Sequence, residues 1–105
     1  MSYQDITPAE LDARRDQVRL IDVRSAAETA QGIIEGAEVI PLHLVPMQVD
    51  DFKDSRDVVL YCHSGARSAQ ACQFLAGQGL NNLYNLQGGI LHWAGQGLPL
   101  VRPQA

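Results

Sequence analysis

Cysteine is scarce in this chain, with Cys62 and Cys72 its only two among 105 residues. Two thiols make no disulfide framework and no paired-cysteine metal spacing, and His43, His63 and His92 are scattered. Neither a disulfide-stapled fold nor a metal centre is expected. Positive charge is also in short supply. Eight Lys and Arg stand against twelve Asp and Glu, for a net charge of −4. No basic cluster offers the footprint that nucleic acid or an acidic membrane surface requires, so any anionic ligand must be caught locally. No apolar window is long enough to span a bilayer, and the opening MSYQDITPAE has neither the basic nor the apolar segment of a secretory signal. The expectation is a cytoplasmic protein with reduced thiols, folded as one domain over residues 1–105. Its 46% hydrophobic content supports a modest core.

What is present is an alternation of strand, turn and helix. Thr7, Pro8 and Glu10 are spaced as N-cap, first helical residue and capping-box partner, which predicts a short helix with Leu11 facing inward. VRLIDV follows as an apolar strand ending at Asp22. SAAETAQG repeats the helix signal, with Ser25 as N-cap, Glu28 three residues on and Gly32 as the stop. AEVIP predicts a second buried strand closed by Pro41, and Pro46 is expected to open a helix whose apolar residues are Met47, Val49 and Phe52. DVVLYC is the most strand-like run. A helix is expected from Arg67 to about Leu75, with Ala69, Cys72 and Leu75 or Ala76 at core spacing. NLYNL returns as a strand, and a short glycine-bounded helix anchored by Trp93 precedes a tail in which Pro99 and Pro103 interrupt regular structure. Short apolar strands separated by helices imply an α/β fold with a mostly parallel sheet and helices on both faces. In such sheets ligands collect beyond the carboxyl ends of the strands, where Cys62 stands.

Between the strand VVLY and the helix that follows, CHSGAR must turn sharply, and Gly65 is the residue best able to take a positive φ. Amides of such a turn, at a helix N-terminus, form an anion cradle built from peptide dipoles rather than formal charge. A thiol at its centre is favoured as thiolate, nucleophilic at neutral pH. Cys62 could equally end a buried strand as a small apolar residue, but the neighbouring glycine and arginine favour the reactive reading. Cys72, inside a helix, is assigned to the core. His63 fits either a substrate contact or an ordinary surface position. Arg67 can donate to a bound oxyanion, or brace the loop through its carbonyls and a carboxylate such as Glu28 or Asp22.

Three stretches together resemble the rhodanese family: CHSGARS its active-site loop, LIDVRSAAETAQGIIEGAEVIPL its DVR…E…G…GA…IP segment, and LQGGILHWAGQGLPL its closing GG…W…GLP signature. Their order and spacing cover nearly the whole chain. The resemblance implies a five-stranded parallel sheet and sulfurtransferase chemistry without a metal or organic cofactor. Carried onto this sequence, it makes Cys62 the nucleophile that becomes a persulfide and gives His63, Ser64, Gly65, Ala66 and Arg67 the substrate-binding loop. Asp22, Arg24, Glu28 and Ser68 become structural residues near the site. The donor implied is a small anion such as thiosulfate. The acceptor is cyanide in assay, or a thiol, a thioredoxin-like dithiol or a sulfur-carrier protein. The sequence departs from the family at Gly32–Ile33–Ile34, where GHI is frequent, at Thr29, where an aromatic is frequent, and at His63, where arginine or another polar group is common. The last makes substrate preference sensitive to pH. The other classes considered are a partner-dependent sulfur-relay module and a cysteine phosphatase or arsenate reductase. The latter is disfavoured because four residues separate Cys62 from Arg67, and related phosphatase loops are longer.

Overall fold

The computed structural model describes residues 2–53 and 56–103. Five strands, β1 (Gln4–Ile6), β2 (Val18–Asp22), β3 (Glu38–Val39), β4 (Asp57–Tyr61) and β5 (Leu83–Leu86), form one sheet in the order β1-β5-β4-β2-β3, with every pairing parallel. The helices are α1 (Pro8–Arg14), α2 (Ala26–Thr29), α3 (Ala66–Gly77) and α4 (Gly89–Gly95). Among the described residues, no helix is long and apolar enough to cross a membrane.

The period-two alternation of β4 sorts the core into two layers. Val58 and Leu60 pack with Cys62, Ile21, Ala71, Cys72 and Leu75, against α3 and the 42–52 segment. Val59 and Tyr61 face the other way and pack with Leu11, Leu20, Leu86, Ile90 and Trp93, against α1 and α4. Helices on both faces are therefore needed to cover a sheet that is apolar on both. Trp93 is fully buried and its indole N–H donates to the carbonyl of Pro99 at 2.9 Å, tying the tail back to the domain. Val101 then pairs with Ile33 in an antiparallel bridge, a piece of regular structure between the two tail prolines.

Both capping boxes form as the spacing predicts: Thr7 and Glu10 at α1, Ser25 and Glu28 at α2. Several expectations need correction. AEVIP is no buried strand. Only Glu38 and Val39 pair, at the sheet edge, and Val39 is 39% exposed because β3 has a neighbour on one side alone. Pro46 does not open an α-helix but lies inside a 3-10 segment, Leu42–Gln48. With about three residues per turn, that segment turns Val45 into the core and leaves Met47 78% exposed. α3 starts at Ala66 and buries Ser68, Ala71, Cys72, Leu75 and Ala76, so Ser68 rather than Ala69 shares the inward stripe. β1, with the pattern QDI, has too little apolar character to announce itself; backbone pairing with β5 makes it a strand.

Candidate functional site

β4 ends at Tyr61, and Cys62 follows at the carboxyl edge of the sheet with 1% of its surface exposed. β2 runs beside it in register, Asp22 opposite Tyr61, and the Val23 N–H donates to the Tyr61 carbonyl at 3.0 Å. The chain then turns through His63, Ser64 and Gly65 into α3. Gly65 caps the helix at φ +108, as the turn requires; a Cβ there would have room, so the backbone angle rather than crowding calls for glycine.

This turn aims donors at the sulfur. The Gly65 N–H donates to Cys62 Sγ at 3.1 Å, and Ser68 Oγ lies 3.5 Å from Sγ. Burial pushes the thiol pKa up; the Ser68 hydroxyl and the amides of Ser68, Gly65 and Ser64 more than offset it, leaving Cys62 below its ordinary value. The cradle is thus made of dipoles, and it favours the thiolate form of Cys62. Cys72 has the opposite surroundings. It is fully buried, burial raises its pKa to about 12, and its thiol rests 3.6 Å from the carbonyl of Tyr84.

Arg67 makes a bidentate ion pair with Glu28, Nη1 to Oε1 at 2.7 Å and Nη2 to Oε2 at 2.8 Å. That pairing draws the Glu28 pKa down to about 2, and it resolves the choice of carboxylate left open by the sequence. Glu28 also accepts from the Ser25 backbone N–H and hydroxyl, so the α2 capping box orients the partner of the loop arginine. Asp22 belongs to a separate network. Both its oxygens are held by Arg24, with Nη2 to Oδ2 at 2.7 Å, and Arg24 reaches the Gly32 carbonyl at 2.6 Å. Both side chains are buried, so this is no solvated surface pair. It locks the carboxyl end of β2 to the turn after α2. The Tyr61 hydroxyl accepts from the Ile34 N–H at 3.0 Å beneath it. Ile34 and Thr29, at two of the departures noted above, are both buried, and Thr29 donates to the Ala26 carbonyl. His63, Ser64 and Ala66 are exposed along the loop.

Two contributors went unforeseen. Asn85, on β5 and 7% exposed, takes Ser68 Oγ on its Oδ1 at 2.5 Å and donates from Nδ2 to the Gly65 carbonyl at 3.2 Å. A polar residue inside the apolar run NLYNL was its available signal. The start of α4 clamps the loop from above: Ile90 N–H donates to the Cys62 carbonyl at 2.9 Å and Leu91 N–H to that of His63 at 3.1 Å. Such close approach needs Gly89, at φ +64, where a Cβ would stand 2.4 Å from the His63 oxygen.

Comparison with known proteins agrees with this architecture. The family model described as "Rhodanese-like domain" matches residues 7–96. A protein named "Sulfurtransferase" from Allochromatium vinosum is 49% identical over 92 residues, 88% of this chain and 86% of its own. "Thiosulfate sulfurtransferase GlpE" from Actinobacillus succinogenes is 31% identical over 106 residues, covering 95% and 92%. A crystal structure of a rhodanese-related protein from Thermoplasma volcanium superposes with a TM-score of 0.87 at 30% identity, over 94% of this chain and 98% of that one.

Proposed function

The chain belongs to the rhodanese-like domain family, and from that premise we propose that it moves a sulfane sulfur from thiosulfate or a similar donor to a thiophilic acceptor through a persulfide on Cys62. The observation that carries this reading is the convergence of the Gly65 amide and the Ser68 hydroxyl on the Cys62 sulfur at the mouth of a parallel sheet. The thiolate attacks the outer sulfur of the donor. With thiosulfate, the bond between the two sulfurs breaks, sulfite departs with the electron pair, and the outer sulfur stays on Cys62. The terminal anion then occupies the amide ring, where partial charges aligned at the start of α3 stabilise it without a formal cation. A second nucleophile removes it: cyanide, a small thiol, or the dithiol of a thioredoxin-like or sulfur-carrier protein. A covalent intermediate of this kind gives ping-pong kinetics.

The test is intact-protein mass after exposure to thiosulfate, followed by a cyanide chase, on wild type, Cys62→Ser and Cys72→Ser. The expected result is a gain of one sulfur in wild type and Cys72→Ser, absent in Cys62→Ser and reversed by cyanide. Transfer by Cys62→Ser would remove Cys62 from its role. A gain that resists cyanide yet yields to a dithiol protein would identify a partner-dependent relay instead.

A further inference from the structure

The Ser68 hydroxyl has one proton and three acceptors around it. Asn85 Oδ1 stands at 2.5 Å, the Gly65 carbonyl at 3.3 Å and Cys62 Sγ at 3.5 Å. The Asn85 amide is not free to turn over and change this order. Its Nδ2 faces the Gly65 carbonyl at 3.2 Å, a group that only accepts, so Oδ1 is turned to Ser68. The Gly65 carbonyl already holds the Ala69 N–H at 3.0 Å, whereas the buried Oδ1 of Asn85 has Ser68 as its one donor among the described residues. Distance and need therefore agree. With Cys62 protonated, the hydroxyl proton lies toward Asn85, and Ser68 turns a lone pair to the sulfur. A thiolate reverses the preference, because a hydrogen bond to an anion is about twice as strong as one between neutral groups. Oδ1 then loses its donor inside the fold.

We propose that Asn85 is a positioning residue that holds the Ser68 proton off Cys62 Sγ and yields it only while that sulfur carries charge. The hydroxyl is a rotor: its proton stays on oxygen throughout and changes only the acceptor it faces. The consequence for sulfur transfer rests on the sulfurtransferase reading. When Cys62 Sγ bonds to the outer sulfur of thiosulfate, the sulfur–sulfur bond of the donor breaks, sulfite leaves with the electron pair, and the negative charge on the protein passes to the outer sulfur. Sγ is then neutral, and the proton returns to Asn85. An Asn85 unsatisfied beside the free thiolate and satisfied beside the persulfide favours loading. The resting thiolate is less stabilised, and so more nucleophilic, than the amides and an unrestrained Ser68 would leave it. Asn85 itself touches no reacting atom. The charged and titratable groups on the elements around the sulfur are Arg67 and Cys72 on α3, Glu28 on α2, Asp22 on β2 with Arg24 beyond it, His63 in the turn and His92 on α4. Arg67 with Glu28 and Arg24 with Asp22 form ion pairs, and a substitution at residue 85 leaves every one of these groups in place.

The experiment follows the pH dependence of iodoacetamide reaction at Cys62, read by peptide mass, in wild type, Asn85→Leu, Ser68→Ala and the double variant. Leucine is close to asparagine in size and offers no acceptor, so the hydroxyl is left to the sulfur. The midpoint is expected to fall by about one unit in Asn85→Leu, and not to differ between Ser68→Ala and the double variant. Asn85→Val, run in parallel, reads the same sign if the larger side chain does not fold. A residue that merely props up the turn gives the opposite result: loosening carries the midpoint up toward that of an unperturbed thiol, with or without Ser68. A midpoint that rises or stays put in the apolar variants, or an equal fall in the Ser68→Ala background, would overturn the proposal. Persulfide loading by thiosulfate, measured above the midpoint, should slow by about threefold in Asn85→Leu, because a more acidic thiol is a weaker nucleophile; an unchanged or faster rate would overturn the role in transfer. If wild type does not load at all, the sulfurtransferase reading fails, and the alkylation cycle still decides where the proton lies.

Discussion

Ser68 Oγ lies 2.5 Å from Asn85 Oδ1 and 3.5 Å from Cys62 Sγ, so one hydroxyl proton stands between an amide oxygen on β5 and the sulfur at the end of β4. Asn85 fixes the other side of the turn as well, through its bond to the Gly65 carbonyl. The two residues then have separable effects. Ser68→Ala removes a donor to the thiolate and is expected to raise the Cys62 pKa by about one unit, read from the pH dependence of its alkylation. Asn85→Ala takes away the acceptor of the Ser68 hydroxyl and one donor to the Gly65 carbonyl, which keeps the Ala69 N–H at 3.0 Å, and should cost about 1 kcal/mol of stability in urea unfolding. A Ser68→Ala profile superposing on wild type would show that the amides alone set the thiol.

Gly89 is expected to tolerate no side chain. Gly89→Ala combines a positive φ with a methyl group driven into the carbonyls of His63 and Cys62, at 2.4 and 2.6 Å. The loop must move, so the substitution should destabilise by about 3 kcal/mol or more and return the Cys62 alkylation midpoint toward that of an unperturbed thiol. Gly77→Ala is the contrast. No atom outside helix α3 lies within 4 Å of its Cβ, and it should stabilise by about 0.5 kcal/mol through helix propensity. Chemical denaturation of the two variants side by side checks both signs.

The Glu28–Arg67 pair gives acid stability a defined window. Pairing lowers the Glu28 pKa from 4.5 to about 2 in the folded chain. A depressed carboxylate contributes stability that is fully present above the unfolded value and is lost as pH falls through the folded one. The stability gap between wild type and Glu28→Gln should therefore be widest above pH 4.5 and close progressively toward pH 2. Since both side chains are about a third exposed, solvent and salt screen the pair, and added salt should narrow the gap at neutral pH. Urea unfolding of both proteins across this range supplies the curves; a gap constant with pH would show that the pair adds nothing to the fold.

Local chemistry carried much of the design into the sequence. Thr7 with Glu10 and Ser25 with Glu28 announce helix starts because a capping box is written in four consecutive residues. DVVLYC announces a strand because its side chains are apolar on both faces. Gly65 between a cysteine and an arginine announces a tight turn with inward amides, and that turn is where the donors to Cys62 are found. β1 gives no strand signal, and β3 reads as a buried strand, for one shared reason: an edge strand is defined by its neighbour's backbone, and three or two residues carry too little pattern of their own. The segment around Pro46 differs from the expected α-helix because a proline opens an α-helix or sits in a 3-10 turn with the same local preferences, and packing of Val45 and Phe52 selects between them.

The sequence by itself determined the alternation of strands and helices and the place of the tight turn that begins at Cys62, since each depends on neighbours a few positions away. Only the tertiary structure decided which carboxylate answers Arg67, how far the Asp22–Arg24 pair is buried, and that Asn85 and the amides of Ile90 and Leu91 complete the loop. Arg67 lies 39 residues from Glu28 along the chain, and Asn85 lies 20 from Gly65. They meet because parallel strands deliver every carboxyl end to one edge of the sheet, a convergence set by backbone register and by the close approach that Gly89 permits.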